Sequence, residues 1–242
     1  MNNTRQIKTF IGAMMLASAS VAAYAGFASH TLHPYFALAV LALAAATSRM
    51  KAKLPGINGN MSMNLPFLLT AAVNLSAVEA FVITCAATTV QCWPRKNAKL
   101  NPQQMAFNLS MMTFATSMAA LMFHAHWLNN MPWSSSTLGL ALATATLFLG
   151  QTAPVAGIVA ASEGTSAASV WWSLAHLSFP YYVVSAGVTS MVQTMSSHLG
   201  WGLALAVFPV MYGIHRSYQM YFSRMTESVA PQALTRAAGA GA

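Results

Sequence analysis

The lysines and arginines of this chain stand in short groups at the ends of long apolar segments, and no other feature constrains its fold as strongly. Arg5 and Lys8 precede Phe10–Ala28, while Arg49, Lys51 and Lys53 follow His33–Ser48. Arg95, Lys96 and Lys99 follow Leu65–Trp93, and Arg216, Arg224 and Arg236 come at and after the end of Trp201–Tyr221. Basic residues confined to alternate ends of apolar spans are a membrane-topology signal, because loops rich in Lys and Arg stay in the cytoplasm. Only 6% of the 242 residues are charged, against about 25% in a soluble domain. Such a chain lacks the polar surface that water requires, so most of its exterior is expected to face lipid. The net charge of +8 does not indicate nucleic acid, since no basic stripe interleaved with aromatics gathers it.

The expected fold class is all-α: a polytopic membrane helix bundle of about seven or eight segments, some broken or half-length, with both termini inside. Residues 1–225 form one transmembrane domain, and residues 226–242, ending A-A-G-A-G-A, read as a disordered cytoplasmic tail. Residues 1–28 read as a retained first span or as a signal segment, with Ala23-Tyr24-Ala25 fitting a cleavage site. Gln104–Phe123, Thr137–Ala160 and His176–Met195 are further spans, with Trp171 and Trp172 as interfacial anchors before the last of these. Leu65–Trp93 has 29 residues. As one helix it would carry Arg95, Lys96 and Lys99 outside; as two halves hinged at Asn74-Leu75-Ser76 it returns them inside. The first half would rise only about 15 Å, too little to cross a ~30 Å core.

Between these spans lies the longest polar interruption, K-L-P-G-I-N-G-N-M-S-M-N at Lys53–Asn64. Pro55, Gly56 and Gly59 break any helix there, and Asn58, Asn60, Ser62 and Asn64 offer neutral hydrogen-bonding groups. Next to broken helices such groups form small-molecule sites, with backbone dipoles and amides meeting a polar ligand. Alternatively they close a turn, with Ser62 capping a helix that begins at Met63. Glu79 is the one acid inside an apolar segment; it either lines the same site or complements the helix start beside Ser76. Gln91, Asn108 and Gln151 are secondary candidates for the lining or for interhelical hydrogen bonds. Pro154, Pro180 and Pro209 sit in three successive late spans as kinks or hinges.

No catalytic, metal-binding or cofactor-binding constellation is expected. The chain has no Asp, no phosphate loop and no paired carboxylates. His124 and His126 point in different directions on a helix, and Cys85 and Cys92 read as small apolar side chains.

Seven short motifs occur in order: H-P-Y-F (His33–Phe36), K-L-P-G-I-N-G-N-M-S (Lys53–Ser62), V-Q-C-W-P-R (Val90–Arg95), F-N (Phe107, Asn108), Q-T-A-P-V-A (Gln151–Ala156), F-P-Y-Y (Phe179–Tyr182) and Y-G-I-H-R-S-Y-Q-M-Y (Tyr212–Tyr221). Together, over residues 33–225, they resemble the multi-spanning N-terminal sensor region found before bacterial GGDEF diguanylate cyclase or HD-GYP phosphodiesterase domains. Gln151 departs from the Asn of that pattern, and only 18 residues follow Arg224. The resemblance implies a non-enzymatic sensor or ligand-binding module of the inner membrane, in a cyclic di-GMP signalling context. Its expected partners are the bilayer, a small-molecule ligand and a signalling protein. The rival expectations are the substrate-binding component of an energy-coupling vitamin transporter and a structural membrane subunit.

Overall fold

Seven helices and one short hairpin make up the described residues of the computed structural model: 2–28, 32–53, 60–94, 100–125 and 135–199, with Pro209, Tyr212, Gly213, Arg216, Ser217 and Met220 beyond them. In order they are α1 (Asn2–Ala28), α2 (Pro34–Ser48), β1 (Lys51–Lys53), β2 (Asn60–Ser62), α3 (Leu65–Asn74), α4 (Ala77–Cys92), α5 (Pro102–Phe123), α6 (Ser135–Glu163) and α7 (Ala167–Leu199). Pro34, Pro66 and Pro102 fall in first helical turns, where a missing N–H costs nothing. Asn101 caps α5 by accepting from the Gln103 and Gln104 amides at 3.2 Å. Gly164, at φ +68°, ends α6 in the left-handed conformation that glycine adopts most readily.

Arg5–Phe27, Pro102–Phe123 and Ser136–Glu163 are each long and apolar enough to cross a membrane. The helices α2, α3 and α4 have 15, 10 and 16 residues, rising about 22, 15 and 24 Å. Each is shorter than a hydrocarbon core of ~30 Å. The interior is lined by small residues: Ala44, Ala71, Ala80, Ala87, Ala115, Ala119 and Ala143 are fully buried. Large apolar side chains such as Leu16, Leu38, Trp172 and Met191 are more than half exposed. Small residues inside let helix backbones approach closely, the packing that works where lipid removes the hydrophobic drive between helices.

α5 is the central long helix, packed on α1, α4 and α6. Phe10 lies beside Phe107 and Ser18 hydrogen-bonds Thr113, so α1 and α5 run parallel. The break at Leu75 and Ser76 falls where the polar triplet placed it, and Leu65–Trp93 is two helices. α3 is buried on every side, from Leu65 through Val73, and touches α2, α4, α5, α6 and α7.

Three details differ from the sequence-based expectations. The polar stretch is flanked by a hairpin, with Lys51, Ala52 and Lys53 paired to Ser62, Met61 and Asn60. Backbone entering an apolar bundle must satisfy its own polar groups, and an antiparallel ladder does this. Ser62 therefore ends a strand instead of capping a helix; α3 starts at Leu65 with Asn64 as its N-terminal boundary. Trp171 and Trp172 lie within α7, a continuous 33-residue helix containing Pro180, as α6 contains Pro154. Asn58, the basic loop 95–99 and the tail 226–242 lie outside the described residues, while Pro209 is helical and exposed.

Candidate functional site

The ends of α2, β2 and α4 meet at one buried polar cluster. Ser62 Oγ donates to the Ser48 carbonyl at 3.0 Å, and Ser48 Oγ donates to the Ala44 carbonyl. Asn64 Nδ2 reaches both Ser48 Oγ, at 3.3 Å, and Gln91 Oε1, at 3.4 Å. Asn64 is 1% exposed and Met63 is fully buried, so the chain leaving the hairpin is enclosed by the bundle. The Asn64 carbonyl accepts the Phe67 and Leu68 amides, which leaves its side chain free to join α2 to α4. Tyr181 of α7 donates to the Ser62 carbonyl at 3.3 Å. Further along, Thr189 shares a hydrogen bond with Thr70 at 3.3 Å and donates to the Pro66 carbonyl at 3.4 Å. The hairpin and α3 are thereby attached to α7 at three points, and the offsets of Ser62–Tyr181 and Thr70–Thr189 make α3 and α7 parallel.

The candidates from sequence thus separate into groups. Ser62, Asn64 and Gln91 come together, and Asn108 lies alongside, its Nδ2 on Cys92 Sγ at 3.6 Å. Asn60 pairs in β2, and its side chain, like all of Asn58, lies outside the described residues. Glu79 is elsewhere: twelve residues along α4 from Gln91, it is about 18 Å away. Its Oε2 accepts from the Ser76 amide at 3.0 Å and the Ser76 hydroxyl at 2.7 Å, and Oε1 accepts from the His33 amide at 2.6 Å. With Ser76 Oγ accepting the Glu79 amide, this is a complete capping box. Glu79 therefore fixes the start of α4 and ties it to the entrance of α2; it does not line the polar cluster.

Gln151 belongs to a third group, between α6 and α7. Its Oε1 accepts from Tyr182 Oη at 2.5 Å, and Thr152 accepts from Trp171 Nε1 at 3.1 Å. Phe148 packs edge-on against Trp171, Phe179 and Tyr182. Adjacent tyrosines of F-P-Y-Y thus serve two groups, Tyr181 the hairpin and Tyr182 the α6 glutamine. Tyr182→Phe should cost about 1 kcal/mol in a detergent melt, because it removes the hydroxyl that donates to the half-buried Gln151 side-chain oxygen; an unchanged midpoint would refute that role.

Sequence reasoning overlooked Ser48, Tyr181 and Thr189. The F-P-Y-Y motif and the position of Ser48 immediately before Arg49 were the available signals. A small apolar cavity of about 20 Å³, room for little more than one water-sized molecule, lies apart from the polar cluster, between α2, α3 and α7. Phe36, Val40, Pro66, Phe67 and Val188 line it, with Thr70 as its polar member.

The chain matches no protein-family model, no curated protein and no solved structure. Fold and site define a class instead: an apolar helical bundle, with three helices of membrane-spanning length and hydropathy among the described residues, organised around a buried half-helix.

Proposed function

We propose that this chain is a non-enzymatic sensor or ligand-binding module of the bacterial inner membrane that signals through a partner. In this reading it crosses the membrane in seven or eight segments with both termini in the cytoplasm. Arg49, Lys51 and Lys53 hold the hairpin at the inner face, and α3 is a re-entrant half-helix. The observation that carries the proposal is the three-point attachment of hairpin and α3 to α7. A ligand or bilayer change that displaced the hairpin would pull on α7 near Pro180 and move the segment bearing Arg216. The seven ordered motifs support a partner that makes or degrades cyclic dinucleotides.

The full chain in detergent, screened by thermal shift against small polar metabolites, should be stabilised by at least one. A ligand at a hundred times its Kd contributes about 2.7 kcal/mol, a shift of several degrees. Asn64→Ala should abolish that shift. Tyr181→Phe should preserve it while abolishing the accompanying change at a spin label on Ser217. If no metabolite stabilises the parent, or if Asn64→Ala responds like the parent, the binding proposal fails.

A further inference from the structure

One face of α4 is buried and the other is open. Ala80, Ile83, Thr84, Ala87 and Thr88 are buried. Val82, Cys85, Ala86, Thr89 and Trp93 recur every three or four residues, which places them in one stripe on the opposite face. Val82 is 53% and Trp93 58% exposed, and the three residues between them are partly exposed. From Val82 to Trp93 the stripe rises about 16 Å, the depth of one leaflet in a ~30 Å hydrocarbon core. Its hydroxyl is turned inward, since Thr89 Oγ1 donates to the Cys85 carbonyl at 2.7 Å. An apolar track of small residues therefore ends at an exposed indole.

The tertiary structure brings cations from two distant segments to that end of the track. Cys92 meets Asn108 and Phe10 lies beside Phe107, so α1 begins at the level where α4 ends. Asn64 joins Ser48 to Gln91, so α2 ends at this level too. Arg5 and Lys8, just before Phe10, and Arg49, just after Ser48, are all exposed there. The helices that carry them, α1 and α2, both pack against α4. Among the described residues Glu163 is the one acid at this end, on α6, whose Gly157 adjoins Phe10. At the other end of α4, the connections 29–33 and 124–134 contain no Lys or Arg. Basic residues on one side are an ordinary topology signal; a leaflet-deep apolar track ending among them is an additional feature. We propose that this track binds one anionic phospholipid. An acyl chain lies along Val82, Ala86 and Thr89, the phosphate is met by Lys8, Arg5 and Arg49, and the Trp93 indole sits at the interface between them. The proposal rests on the membrane placement given above and not on ligand binding at the hairpin.

Tryptophan quenching by lipids brominated along their acyl chains tests it, with the full chain in nanodiscs. The difference between the parent and Trp93→Phe isolates the Trp93 signal. At equal mole fraction, brominated phosphatidylglycerol should be preferred over brominated phosphatidylcholine at Trp93 by about five-fold for each cation engaged. High salt should weaken that preference, because the cations are exposed and therefore screened. Lys8→Gln combined with Arg49→Gln should bring the ratio close to one. Ala86→Phe, which fills the track and leaves the charge unchanged, should also lower it. Equal quenching of Trp93 by the two lipids overturns the proposal. So does a preference that survives in Trp93→Phe, in Ala86→Phe, in the charge variant or in high salt, since each would mean a general attraction to the surface. If neither lipid quenches any tryptophan, the membrane placement fails and the proposal falls with it.

Discussion

Glu79→Ala should lower the unfolding free energy by about 3 kcal/mol, because it strands three donors at once. The His33 amide, the Ser76 amide and the Ser76 hydroxyl all end on this one carboxylate, which is 9% exposed. A lost cap alone costs about 1 kcal/mol; the remainder comes from the tie to the start of α2 and from the Ser76 hydroxyl, both part-buried. Glu79→Gln keeps one acceptor oxygen and should lose about 1–2 kcal/mol. Glu79→Asp is too short to reach Ser76 and His33 together, so it should resemble Ala more than Gln. Reversible unfolding in mixed micelles measures this order. An Ala variant as stable as the parent, but with weakened metabolite binding, would instead place Glu79 in a ligand site.

The second large effect is steric and lies between the two long helices α5 and α6. A methyl group built on Gly150 would stand 2.9 Å from Ala115 Cβ and 3.2 Å from its Cα. Ordinary carbon–carbon contact lies near 3.5–4.0 Å, and one neighbour here is backbone, which cannot rotate aside. Gly150→Ala should therefore force α5 and α6 apart at a cost of about 1–3 kcal/mol, outweighing the roughly 1 kcal/mol that Ala gains in helix propensity. Gly150→Leu should cost more still. Ala115→Gly in the Gly150→Ala background should restore most of the loss, which a double-mutant cycle reads as a coupling energy of about 1 kcal/mol or more. Simple additivity would show that the two helices do not pack at this point. The close approach also explains why α5 can serve as the central helix: two small residues bring the backbones together along an apolar seam.

Much of the local structure was legible in the sequence. Helix starts are marked by Pro34, Pro66, Asn101 and Pro102, and the break by Asn74-Leu75-Ser76, because caps and prolines act through their own backbone. The hairpin was less legible. Its strands are three residues each and contain Lys and Asn, which have little strand preference. The candidate site was legible only as residue types. Ser62, Asn64 and Gln91 were singled out for being polar in apolar surroundings, and they do meet. Glu79 was singled out for the same reason, yet it serves a different joint. Tyr181 and Ser48, which complete the cluster, look unremarkable in sequence.

By itself the sequence determined that this chain is apolar, helical and divided by basic turns, and that the segment after the hairpin is half-length. These properties depend on composition and on neighbours within a few residues, so they are written locally. Only the tertiary structure decided that α3 is enclosed on all sides and tied to α7, and that Glu79 and Asn64 belong to opposite ends of α4. Polar side chains in an apolar bundle must find partners, but which partner depends on helix length, direction and register. Those relations join residues up to 123 positions apart, a separation over which no local sequence signal extends.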